Sequence, residues 1–207
     1  MGGLILATSL MAATHLAPAL PGLRDGLRRR LGPGLYGALH GTLSLLALAV
    51  LVLAWRQTDP APSPLDGGPA ARTLAVWLMP LALFLVVARL TTRRTDRPQG
   101  IYTVTATPGS LGVLLWSLLH LGAASDGRAA VVFAGFALIA AVSLWRNLRD
   151  APPAVRAVGW MPFAGTGPVD WRGLGLWRGA VALLTWGVLL WAHPVILGPD
   201  PATYLGL

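Results

Sequence analysis

The feature that most constrains this chain is a series of apolar runs that approach or exceed the length of a bilayer-spanning helix. A hydrocarbon core about 30 Å thick needs roughly 20 helical residues to cross it. Of the 207 residues, 55% are hydrophobic and 12% are charged, and the mean hydropathy is +0.63. We therefore predict an all-α polytopic membrane protein, a single domain over residues 1–207 with about six helices in one bundle. The predicted spans are about 2–20, 35–55, 72–90, 107–124, 128–144 and 177–197.

The charged residues lie mainly between these runs and predict the topology. All sixteen basic residues are arginine and all eight acidic residues are aspartate, for a net charge of +8. The first, third and fifth loops are rich in arginine, whereas the second and fourth are balanced. Because arginine-rich loops stay on the cytoplasmic side, both termini are predicted to be periplasmic. The richness in Ala, Gly, Pro and Arg is typical of a bacterial protein, so we expect the inner membrane. This charge pattern implies no nucleic-acid partner.

Three local patterns predict details of the helices. Leucines at positions 23, 27 and 31 lie four residues apart among arginines, so residues 21–33 are predicted to form an amphipathic helix on the membrane surface. Pro80 falls inside the third span and is expected to kink it, which membrane helices tolerate when a neighbour satisfies the carbonyl that the proline frees. Thr107 and Pro108 are predicted as the N-cap and first residue of the fourth helix.

Composition excludes several kinds of chemistry. The chain has no cysteine, which rules out disulfides, zinc–cysteine sites, iron–sulfur clusters and thiol nucleophiles. No Ser-His-Asp set, carboxylate dyad, Walker loop or dinucleotide-binding fingerprint is recognisable. The candidate site residues are therefore the histidines.

His120 lies inside an apolar run, where a polar ring is costly unless it has a partner or a function. Trp116 and Ser117, four and three residues earlier, share its helix face. His15 lies in the first span, His40 near the start of the second and His193 near the end of the sixth. This pattern suits a metal or haem ligand, and it equally suits a histidine that hydrogen-bonds a neighbouring helix.

Several stretches together resemble the NnrU family: His15, LPGLRDGLRRRLGPGLYG, LWSLLHLG and the terminal HPVILG. That family includes bacterial proteins linked to denitrification gene clusters, and it is related to the plant and cyanobacterial 15-cis-ζ-carotene isomerase. The resemblance covers almost the whole chain. It implies haem b held by two histidines, which correspond here to His15 and His120.

Two departures from the family pattern bear on this expectation. The isomerase has a cysteine three residues before its second histidine, proposed as an alternative iron ligand, and Ser117 stands there in this chain. A neutral hydroxyl is a poor substitute for a thiolate. The family commonly has Arg-His-Pro where this chain has Ala106-Thr107-Pro108.

Helix depth favours a different pairing of the histidines. If the first span descends and the fourth ascends, His15 and His120 are separated by about 12 Å along the membrane normal. By depth alone, His15 pairs better with His40, and His120 with His193. The family pair is taken first because the boundaries of the spans are uncertain by several residues.

The resemblance leads to two functional hypotheses. The first is a haem-dependent isomerase of an apolar polyene substrate such as ζ-carotene. The alternative is a non-enzymatic accessory protein or haem-dependent sensor of nitrogen-oxide metabolism. A helix bundle with purely structural histidines is the third possibility, and in each case membrane lipid is a partner.

Overall fold

A computed structural model describes residues 1–20 and 22–206, and the described chain is helical with a single isolated β-bridge. This confirms the all-α, polytopic prediction. The helices are α1 (Gly2–Leu16), α2 (Leu23–Gln57), α3 (Gly68–Thr91), α4 (Pro108–Ala123), α5 (Gly127–Arg149), α6 (Pro153–Arg156), α7 (Trp171–Leu174) and α8 (Leu176–Leu197). Short 3₁₀ turns cover Ala17–Ala19, Gly100–Thr103 and Pro201–Tyr204.

Five apolar helical stretches in the described residues are long enough to cross a membrane. They include α1, α2, α3, α5 and α8. The remaining predicted span, the fourth (107–124), corresponds to α4, which has 16 residues and a length of about 24 Å. It is shorter because residues Gly100–Thr103 and the loop after them fold back under the bundle, where Ile101, Tyr102 and Thr105 are almost completely buried. Helix α4 therefore begins inside the protein.

The helices pack in the order α2, α1, α5, α4, α3, α8, each against the next. Helices α5 and α4 lie in the middle of this series, and α2 and α8 lie at its ends. Among the described residues, α2 buries only Ala47 and Leu51, and α8 buries only Ala182. Their remaining apolar side chains are left to face lipid.

Helix α2 contains a break where the predicted surface helix meets the predicted second span. Gly32 has φ 75° and ψ 158°, a conformation that favours glycine, and Pro33 follows it. The segment before the break is helical from Leu23, as predicted, while Pro21 of the predicted range lies outside the described residues.

The two ends of the bundle collect different loops. At one end Pro62 forms a β-bridge with Asp126, and the Gly67 amide donates to the Gly122 carbonyl at 2.9 Å. The 3₁₀ turn at Pro201–Tyr204 packs against α3 near the same end. The second loop, the fourth loop and the C-terminal turn therefore meet at this end.

The opposite end gathers the arginine-rich loops. Arg94 donates to the Asn147 carbonyl at 3.4 Å, which joins the third loop to the end of α5. The pKa of Asp150 is held below its usual value mainly by a hydrogen bond from Arg149, and also by the charge of Arg24 at the start of α2. The fold thus segregates the loops as their charges predicted.

Pro80 is accommodated inside α3 by a hydrogen bond from another helix. A proline has no N–H, so the Val76 carbonyl four residues earlier loses its helical partner. The indole Nε1–H of Trp186, on α8, donates to that carbonyl at 3.1 Å. The expectation that a neighbour satisfies the freed carbonyl is confirmed.

Replacing Trp186 with phenylalanine is expected to lower the free energy of unfolding by about 0.6–2 kcal/mol, the range measured for interhelical hydrogen bonds in membranes. An aromatic ring is kept, although a smaller one, and the Val76 carbonyl loses its donor. Chemical unfolding in detergent measures the change. The matched control is Trp191→Phe on the same helix, where the side chain is 77% exposed. Equal losses in both variants would contradict the role given to this hydrogen bond.

Candidate functional site

The structure brings His15 and His40 together across the α1–α2 interface. Their ring centroids are 5.9 Å apart, with an angle of 65° between the ring planes. Both rings are half-buried. On α2, His40 also stacks on Tyr36 with a centroid distance of 6.1 Å. This is the pairing that helix depth favoured.

The hydrogen bonds of His15 orient its ring for ligation. Its Nδ1 lies 3.0 Å from the Met11 carbonyl, and the carbonyl oxygen can only accept, so we assign the proton to Nδ1. The other ring nitrogen, Nε2, then carries a lone pair. A histidine held this way through one nitrogen is the usual arrangement of a metal ligand.

The space beside His40 is open. Gly37 and Gly41 flank it on α2, and no neighbouring atom lies within 4 Å of the point where a Cβ would stand on either. Gly34 has the same open surroundings. The helix surface beside His40 is therefore unobstructed at these three glycines.

His120 lies in a different part of the bundle, inside an aromatic cluster between α4 and α5. Its ring stacks on Phe133 with a centroid distance of 4.5 Å and lies 5.1 Å from Trp116. Trp116 also contacts Phe136. The Nδ1 atom is 2.9 Å from the Trp116 carbonyl.

The register of the helices explains why His15 and His120 do not face each other. Helix α1 runs parallel to α5, and Thr8 packs against Gly135. His15 follows Thr8 by seven residues, so it lies at the height of a residue about seven positions after Gly135 on α5. His120 is level with Phe133. The difference of about nine residues on α5 corresponds to roughly 13 Å.

The remaining predicted residues are engaged locally. The Ser117 side chain is fully buried, and its hydroxyl donates to the Val113 carbonyl at 2.7 Å. His193 Nδ1 lies 2.7 Å from the Pro199 carbonyl at the end of α8. Neither contact joins the residue to another histidine.

Thr107 and Pro108 occupy the predicted cap and first helical positions, but the expected side-chain cap is wrong. The Thr107 side chain makes no capping hydrogen bond, and its Oγ1 is buried without a partner in the described part of the chain. The neighbouring Thr105 hydroxyl instead donates to the Trp160 carbonyl and accepts from the Thr107 amide. Burial of the preceding turn prevents the loop from adopting the usual cap geometry.

Sequence reasoning missed Asp170, whose side chain holds the buried 3₁₀ turn Gly100–Thr103 in place. Its carboxylate accepts hydrogen bonds from the Gly100 amide at 2.9 Å and the Gly173 amide at 2.8 Å. These bonds hold the pKa of Asp170 below its usual value. The Asp-x-x-Gly spacing signals the local bond to Gly173, but no sequence signal indicates the partner 70 residues away.

The described residues contain no group of three or more His, Cys, Asp or Glu side chains suited to a metal ion. The candidate site is therefore a two-histidine site, and the His15–His40 pair has the shortest ring separation between two histidines in the described chain.

The fold and this site define a polytopic helical membrane protein with paired intramembrane histidines. The family model of the NnrU protein matches residues 3–201, nearly the whole chain. The chain therefore belongs to the NnrU family. No curated protein and no solved structure gives a significant match.

Proposed function

We propose that this NnrU-family protein binds haem b in the membrane, with His15 and His40 as the two axial ligands. The observation that carries the proposal is the 5.9 Å separation of the two imidazole rings. Metal–imidazole bonds are about 2 Å long, so two imidazoles that held one iron between them would have ring centroids roughly 6 Å apart. The separation of the His15 and His40 rings is of this size.

The family pair, His15 and His120, remains a competing prediction. The offset of roughly 13 Å lies between the Cα levels of the two residues, and their side chains could span it only by reaching towards each other along the membrane normal. In the structure the two rings have other partners, because His15 faces His40 and His120 lies against Phe133. The geometry therefore supports His40 as the second ligand.

The ligand set does not by itself choose between the two activities, because the resemblance implies two histidine ligands for the isomerase as well. A haem held by these residues would supply one-electron redox chemistry and ligand binding. Membership of the NnrU family is the reason for placing the accessory protein or haem-dependent sensor of nitrogen-oxide metabolism first.

The polyene isomerase is the second candidate. An apolar substrate would reach the half-buried pair from the lipid, because most side chains of α2 are exposed there. Production of the protein in cells that accumulate a cis-polyene, followed by chromatographic separation of the isomers, tests this activity. An increase in the all-trans product that depends on His15 would favour the isomerase.

The haem proposal is tested with protein purified in detergent after expression with ample haem supply. We expect a Soret band, a pyridine haemochrome spectrum of haem b, and the sharp visible bands of six-coordinate low-spin iron. Protein that is folded but lacks all three signals would favour the purely structural role of the histidines. A high-spin spectrum would contradict the two-ligand geometry.

We further propose that the bundle sits in the bacterial inner membrane with both termini in the periplasm. The collection of the arginine-rich loops at one end supports this orientation. Reporter fusions after Gly67 and after Arg94 are expected to report opposite faces, with Arg94 cytoplasmic. If both fusions report the same face, the proposed orientation is wrong.

A further inference from the structure

The first segment of α2 forms a positively charged hollow where the chain turns into its membrane span. The hollow has a volume of about 370 Å³ and is lined by Asp25, Arg28, Arg29 and Pro33. It lies at the break in the helix, where Gly32 adopts φ 75° and ψ 158°. The break sets the arginine-bearing turns at an angle to the span, so their side chains border an open concavity.

The protein balances the charge of this segment only in part, through Asp25 within it and Asp150 near Arg24. Four arginines and one aspartate give residues 24–30 three net positive charges. The ion pairs found in the described part of the chain join Asp66, Asp126 and Asp150 to arginines outside this segment. The hollow therefore has unused capacity for an anion.

The hollow lies at the depth of the lipid headgroups. From Pro33 to Gln57 the helix has a length of about 37 Å, somewhat more than the roughly 30 Å hydrocarbon core, so Pro33 is placed at the bilayer surface. Leu23, Leu27 and Leu31 form one stripe on the segment and are 39%, 38% and 37% exposed. Such a stripe packs against acyl chains while the arginines remain at the surface.

We propose that this hollow binds the phosphodiester headgroup of an anionic phospholipid. Arginine guanidinium groups bind phosphate oxygens with two parallel hydrogen bonds, and Arg28 and Arg29 both line the concavity. The leucine stripe supplies a surface for the acyl chains of the same lipid molecule. A free phosphate ion would use the arginines but gain nothing from the leucines, which is why the lipid is the assigned ligand.

The test compares lipid retention by native mass spectrometry after exchange into mixed micelles of phosphatidylglycerol and phosphatidylcholine with matched acyl chains. The wild-type protein is expected to retain phosphatidylglycerol preferentially. In the double variant Arg28→Gln/Arg29→Gln, the ratio of retained phosphatidylglycerol to phosphatidylcholine is expected to fall more than about tenfold. Each basic residue near an anionic membrane surface strengthens binding by about fivefold. The matched control is Arg93→Gln/Arg97→Gln, which removes the same charge from another loop at the same end.

Three outcomes would overturn the proposal. Equal retention by wild type and by Arg28→Gln/Arg29→Gln would show that the hollow is not the site. Equal loss in the two double variants would show that only net charge matters. Release of phosphatidylglycerol by inorganic phosphate at equal concentration would assign the site to a free anion. Melting temperatures of both variants, measured in the same detergent, establish that each comparison is made on folded protein.

Discussion

Replacing either His15 or His40 with alanine is expected to abolish the six-coordinate low-spin spectrum of bound haem b. Each substitution removes one of two axial ligands, so the iron changes coordination number or the haem is lost. His120→Ala and His193→Ala are expected to leave the spectrum nearly intact, because those rings lie in other parts of the bundle. The measurement is the absorption spectrum at equal concentrations of folded protein.

Loss of a ligand must be distinguished from loss of stability. Alanine at a structural histidine strands a hydrogen-bond partner and costs about 1–3 kcal/mol, without changing the coordination of haem that stays bound. If His120→Ala loses the low-spin spectrum while His40→Ala keeps it, the family pair is correct and the His15–His40 assignment fails. Restoration of the spectrum by added imidazole in His40→Ala would identify the loss as a missing ligand.

Gly112 sits at the closest approach of α3 and α4, and its replacement by alanine is expected to destabilise the bundle. A Cβ on Gly112 would stand 2.8 Å from the Ala82 carbonyl oxygen and 3.0 Å from Leu85 Cβ. The backbone oxygen cannot rotate away, so the two helices must separate. Overpacking of this kind costs about 1–3 kcal/mol.

The matched control for this substitution lies on the same helix. A Cβ on Gly122 would meet no neighbouring atom within 4 Å. Gly122→Ala is therefore expected to be neutral or to stabilise by up to about 1 kcal/mol through helix propensity. Tryptophan fluorescence during unfolding in detergent measures both variants. Equal stability of Gly112→Ala and Gly122→Ala would show that the α3–α4 contact is loose.

The sequence predicted the helices, and which loops share an end of the bundle, because both follow from composition along the chain. A helix in lipid satisfies its backbone groups internally, so an apolar run of sufficient length is enough to specify it. The predicted topology similarly depends only on which loops carry the arginines. A proline inside a helix always frees a carbonyl, so the need for a neighbouring donor at Pro80 could be predicted. The identity of that donor, Trp186, could not.

The candidate site was predicted only in part. The sequence and the family resemblance singled out the four histidines, and helix depth suggested that His15 pairs with His40. The structure brings those two rings to 5.9 Å, whereas the choice of the His15–His120 pair stays a prediction. Asp170 could not have been found, because its bond to Gly100 links loops that are distant in sequence.

The sequence by itself determined which segments are helices, where the charged loops lie and which side chains are candidate ligands, because each of these is a property of a local stretch in contact with lipid or water. Only the tertiary structure decided which histidines meet, that the first residue of α4 is buried and how closely α3 approaches α4 at Gly112. These depend on the sliding and rotation of one helix against another. Small residues and single hydrogen bonds fix that register, and their effects appear only once the helices are packed.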